Sequence, residues 1–80
     1  MDSENGRTMS FGEKAVGLSF NPSKDDLVHQ IKQRYATIID EMHSLRFRSE
    51  SPEVKRLASV AITEAQGAQM WAVKAITWKD

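Results

Sequence analysis

The stretch from Val54 to Trp78, VKRLASVAITEAQGAQMWAVKAITW, constrains the fold of this chain more than any other. Its alanines Ala58, Ala61, Ala65, Ala68, Ala72 and Ala75 recur at alternating steps of three and four. That spacing predicts one long helix with a stripe almost free of side-chain bulk, along which a second helix backbone can approach closely. Val60, Met70, Trp71, Val73, Ile76 and Trp78 lie off the stripe. A single partner helix cannot cover them all, so the pattern points to assembly as much as to a fold.

The matching element runs from Lys24 to Arg46 or Arg48, where Val28, Ile31, Tyr35, Ile38, Met42 and Leu45 also fall three and four apart. Laid antiparallel, these large residues and the small alanines give the fit that a close helical hairpin requires. Leu27 and Ile39 lie outside this seam and are expected at contacts between subunits. Lys32, Arg34, Asp40, Glu41, Arg46 and Arg48 are expected on a solvated face. Ser51 as N-cap with Pro52 at the first helical position marks the start of the second long helix. Ser23 is the expected N-cap of the first, with Asp25 and Asp26 in its opening turn. Upstream, Ser10-Phe11-Gly12-Glu13 matches a capping box, and Gly17 suits the end of the short helix that follows. Pro22 makes Leu18 to Ser23 a connection. Gly67, inside the second long helix, costs about 1 kcal/mol relative to alanine; close approach of a neighbouring helix, or of a ligand, is its expected return.

The fold expected is therefore all-α and a single domain. A flexible terminus (1–8) and a short helix (10–17) precede an antiparallel hairpin of two long helices (24–48 and 52–78), which assembles as a helical oligomer. Eighty residues bury little core per residue, which also favours oligomerisation. There is no cysteine, which excludes disulfides and thiolate metal sites. Eleven basic and eleven acidic residues balance, which argues against a grip on long nucleic acid and against a polybasic membrane anchor. No apolar run approaches the roughly 20 residues that span a bilayer, and the polar N-terminus lacks a signal-peptide core. A soluble intracellular protein is expected.

Catalysis finds little support. His29 and His43 are about 21 Å apart at helical rise, too far to share a metal ion. Asp40 and Glu41 are sequential neighbours and diverge on a helix. No zinc spacing, Walker loop or glycine-rich phosphate motif is present, so no cofactor is expected and both histidines read as structural or exposed. A binding vocabulary remains in the N-terminal segment. Phe11 offers a flat face for a base, while Arg7, Lys14, Asn21, Ser23 and Lys24 offer donors for phosphate or base edges. The same residues also suit bland roles, Phe11 as a staple pinning the short helix, and Ser23, Asp25 and Asp26 as a helix cap.

Ser10 to Ser23, SFGEKAVGLSFNPS, and Ala61 to Trp78, AITEAQGAQMWAVKAITW, together about two fifths of the chain, closely resemble the anti-CBASS sponge family of bacteriophages, second type. The resemblance implies small helical-hairpin subunits forming hexamers in the infected host cytoplasm. It implies that they sequester, without cleaving, the cyclic nucleotides that activate the bacterial CBASS response. Cyclic dinucleotides such as cyclic GMP-AMP would occupy pockets made jointly by two protomers, and cyclic trinucleotides separate ones. By the same resemblance the base-stacking aromatic is Phe11, where a tyrosine is common, so stacking is kept and a hydroxyl contact is lost. The phosphate lysine at the start of the first long helix corresponds to Lys24. Arg56, Ser59 and Thr63, on one face of the second helix, are the candidates for the trinucleotide pocket. A structural, protein-binding helical oligomer with no nucleotide ligand is the alternative.

Overall fold

The computed structural model describes residues 8–80, in which the elements are three helices: α1 (Phe11–Ala15), α2 (Asp26–Arg48) and α3 (Pro52–Thr77). Arg7 lies outside the described residues. The chain is all-α, with α2 and α3 forming the hairpin and α1 packed on α2.

Each helix starts on a side-chain cap. The Ser10 hydroxyl accepts from the Glu13 amide at 3.1 Å while Glu13 reaches back to the Ser10 amide at 2.9 Å, a complete capping box. Ser51 accepts from the Val54 amide ahead of Pro52, as the sequence predicts. At α2 the expectation of a Ser23 N-cap is overturned. Asp25 is the cap, accepting from the Leu27 amide at 2.8 Å, and the helix begins at Asp26. Lys24 takes a left-handed φ of 56°, which turns the chain by two residues more before a helix can start. Ser23 instead donates to Asn21 Oδ1 at 2.7 Å and accepts from the Asp25 amide.

The hairpin seam is rotated from the one that the spacing suggests. Ala58, Ile62, Ala65 and Gln69 are buried on α3, and Val28, Lys32, Ala36 and Ile39 on α2. Ala68 and Ala75 are exposed, and Ile38 is half exposed while Ile39 is fully buried, the reverse of its expected placement at a subunit contact. The cause is geometric. Alternating steps of three and four average about 3.5 residues per turn, so such a stripe drifts around an α-helix by roughly 20° per heptad. It cannot face one partner along its whole length.

A second cause is that α2 serves two partners. Val16 and Leu18, just after α1, join Ala36, Ile39, Ile62 and Ala65 in one core, flanked by Met9, Ala15, Tyr35 and Met42. The N-terminal segment runs back along α2, from Gly12 beside Ala36 and Asp40 to Asn21 beside Asp25. Gly17, at φ 63°, ends the short helix as predicted.

Lys32, expected on a solvated face, is buried. Its ammonium donates to the carbonyls of Gly17, at 3.1 Å, and Phe20, which no helix satisfies. Burial lowers its pKa below the usual 10.5, because desolvation penalises the charged form. Among the described residues no atom beyond its own helix backbone and chain neighbours lies within 4 Å of the position a Cβ on Gly67 would occupy, so the expected close neighbour is not found there. Met70, Trp71 and Trp78 are each about two-thirds exposed. Among the described residues no helix is long and apolar enough to cross a membrane.

Candidate functional site

The site is built outward from Gly12. Its amide donates to Asp40 Oδ1 at 2.6 Å, a charge-assisted bond that ties α1 to the middle of α2. A Cβ at this position would run into the Ala36 carbonyl oxygen and lie 2.9 Å from both the Ala36 carbonyl carbon and Asp40 Oδ1. Only glycine permits this approach. Asp40, expected in solvent, is thus the anchor of the short helix.

Docked in this way, α1 places Phe11 over the next turn of α2. The Phe11 ring stacks on His43 with centroids 4.2 Å apart and planes 13° from parallel. Arg46 Cζ lies 5.4 Å from the Phe11 centroid. The guanidinium reaches His43 Nδ1 through Nε at 3.2 Å and Nη2 at 3.1 Å, and through Nη1 donates to the Ser59 hydroxyl on α3 at 2.9 Å. No carboxylate among the described residues contacts it. Lys55 donates to the Arg46 carbonyl at 2.6 Å, adding a second cation to this end of the hairpin. Phe11 itself stays 40% exposed. An aromatic ring half in water, backed by an imidazole and by a guanidinium with no counter-ion among the described residues, is suited to stacking a base that carries negative charge nearby.

The residues expected beside Phe11 are not all brought to it. Lys14 is on α1, exposed, and borders a shallow cleft with Met9, Gly17 and Ser19. Asn21 and Ser23 hold the loop together, Asn21 Nδ2 donating to the Asp25 carbonyl at 3.1 Å. Lys24 is exposed beside the α2 N-terminus. Phe11 packs at His43, so Phe11 and Lys24 are separated along α2 by about 27 Å at helical rise. One protomer does not bring them together.

The three residues expected at the trinucleotide pocket share a face of α3 but make different contacts. Arg56 pairs with Glu53 at 2.6 Å, both side chains largely exposed. This pairing lowers the Glu53 pKa and raises that of Arg56. Thr63 is exposed, while Ser59 faces Arg46. Among the described residues no group of three or more histidines, aspartates or glutamates is arranged to hold a metal. A separate cavity of about 230 Å³ lies between the Phe20–Ser23 loop, Val28 and Lys32 of α2, and Val73 and Thr77 of α3.

Comparison with known families settles where the hairpin belongs. A family model described as the Acb2/Tad1 hairpin domain matches residues 13–77, most of the chain. The chain belongs to the Acb2/Tad1 hairpin family. The match spans the end of α1, the loop, α2 and all of α3, the elements that form the shared core. It begins at Glu13, so Phe11 lies just outside it. No curated protein and no solved structure matches the chain.

His43 and Arg46 join Phe11 in this candidate site, although the sequence assigns them only structural, exposed or solvated roles. Their signal was spacing: Asp40, His43 and Arg46 recur at three, on the face of α2 that receives α1.

Proposed function

We propose that this member of the Acb2/Tad1 hairpin family is a noncatalytic sponge, which binds cyclic oligonucleotide messengers and withholds them from the CBASS response. The family match over residues 13–77 carries this reading. The half-exposed Phe11 ring supports it, as a base-stacking surface beside a cation that no carboxylate among the described residues pairs with.

The distance between Phe11 and Lys24 shapes the pocket. A cyclic dinucleotide is far shorter than the roughly 27 Å that separates these residues along one α2. The pocket therefore draws Phe11 and Lys14 from one protomer and the Asn21–Lys24 loop from another, and twofold symmetry repeats the set for a ligand with two bases and two phosphates. Met70, Trp71 and Trp78, together with half-buried Val73 and Ile76, supply apolar surface for joining hairpins, here into a hexamer. Arg56, Ser59 and Thr63, on one face of α3, are the proposed trinucleotide contacts. The ligand is held without being cleaved and leaves as it entered. The protein acts in the cytoplasm of the infected host, where these messengers are made.

Incubating the full chain with cyclic GMP-AMP, denaturing it by heat and analysing the supernatant tests this directly. Intact cyclic dinucleotide, absent from solution before heating and present after, is expected. Linear dinucleotide or mononucleotides would make the protein an enzyme. Ligand that is never withdrawn from solution would leave a structural helical oligomer as the function.

A further inference from the structure

We infer that His43 and Arg46 are positioning residues for Phe11, holding its ring so that a ligand base stacks on the face opposite His43. The inference rests on the sponge function proposed above.

Phe11 needs such support. It sits at the start of a five-residue helix, an element too short to be stable alone, and 40% of it faces water. A ring free to change rotamer there would have to be ordered by each ligand, which weakens binding. His43 removes that freedom. It projects from the C-terminal half of a 23-residue helix and covers one face of the ring nearly in parallel, 13° between the planes. The imidazole is itself held. Its Nδ1 accepts from Arg46 Nε and Nη2, which places its hydrogen on Nε2, and Arg46 is fixed in turn by Ser59 of α3. The ring presented by the short helix is thus referenced to both long ones.

Docking of α1 does not account for this cluster. The Gly12–Asp40 bond and the burial of Val16 and Leu18 already attach the segment. Phe11 is left 40% exposed where docking alone would bury it further, and an arginine with no carboxylate partner among the described residues is a poor choice for packing alone. Its charge is of use to a ligand that carries phosphates.

The test is calorimetry of the full chain with cyclic GMP-AMP, on wild type, His43→Ala, His43→Phe and Arg46→Met, each with its melting temperature and oligomeric state measured. Positioning predicts that His43→Ala weakens binding by roughly three- to tenfold, the size of one aromatic stack. His43→Phe, which keeps the stack and loses the acceptor for Arg46, should restore most of that loss. Arg46→Met should weaken binding too, with a shallower salt dependence than wild type. Equal affinity for His43→Ala and wild type overturns the inference and leaves the sponge function standing. Tighter binding by His43→Ala also overturns it, because His43 would then be filling the place of the ligand. A loss in His43→Ala that tracks its melting temperature and is not recovered in His43→Phe makes the residue structural, against the inference. No binding by assembled wild type ends the sponge function and the inference with it.

Discussion

Gly12→Ala is the substitution for which two physical arguments give opposite signs. Within a helix alanine is favoured over glycine by about 1 kcal/mol, so helix propensity alone predicts a more stable α1. The packing predicts the reverse. The new methyl group meets the Ala36 carbonyl and Asp40 Oδ1, and the first of these is helix backbone that cannot step aside. Relief requires α1 to lift from α2, which breaks the 2.6 Å bond from the Gly12 amide to Asp40. Overpacking costs about 1–3 kcal/mol and a hydrogen bond to a charged group about 1.5–3 kcal/mol. Because one movement causes both, about 2–4 kcal/mol net is expected after the helix gain is subtracted. For a domain of this size that lowers the melting temperature by roughly 8–32 °C, provided that variant and wild type are compared at equal protein concentration. Hydrogen exchange gives the local test: the Val16 and Leu18 amides, which bond back to the Gly12 and Glu13 carbonyls, should lose protection. Phe11 should leave His43, and ligand affinity should fall with it. A melting temperature equal to or above that of wild type, with these amides still protected, would refute the packing argument.

Lys32→Met removes the donor shared by the Gly17 and Phe20 carbonyls, and a destabilisation of about 1–3 kcal/mol is expected by denaturant titration. Burial lowers the Lys32 pKa, so between that value and the ordinary 10.5 the unfolded chain binds more protons than the folded one. Stability should accordingly rise with pH through that alkaline window, and the Met variant should lose this contribution. Lys24→Gly relieves a left-handed backbone that lysine adopts at a cost, so its melting temperature should not fall, while affinity for cyclic dinucleotide drops. A joint fall in both would make Lys24 structural. Arg56→Ala removes only an exposed pair with Glu53 and should leave the melting temperature unchanged; binding of cyclic triadenylate is the readout that should fall.

Much of the hairpin is legible in the sequence, because caps and turns are local. Ser10 with Glu13, Gly17, and Ser51 with Pro52 mark their helix ends within a few residues, and the structure keeps each of them. The seam is less legible because it is set by what packs on both sides of α2. Ile39 and Lys32 are buried by the returning N-terminal segment, a partner that no periodicity within α2 reveals. The start of α2 was misplaced for a related reason: Ser23 and Asp25 are both good caps, and a left-handed Lys24 decides between them. Of the candidate site, Phe11 was visible as an exposed aromatic in a capped turn. His43 and Arg46 were not, since their role depends on Gly12 and Asp40 fixing where α1 lies.

The central claim is that a cyclic dinucleotide binds to an assembled hairpin protein through Phe11. Calorimetry of cyclic GMP-AMP against wild type and Phe11→Ala, with oligomeric state confirmed for both, measures it most directly. A sponge of this kind gives saturable binding by wild type, a loss of roughly tenfold or more in Phe11→Ala for a stacked base, and unchanged assembly. No heat from assembled wild type, or equal affinity in the two proteins, would contradict it.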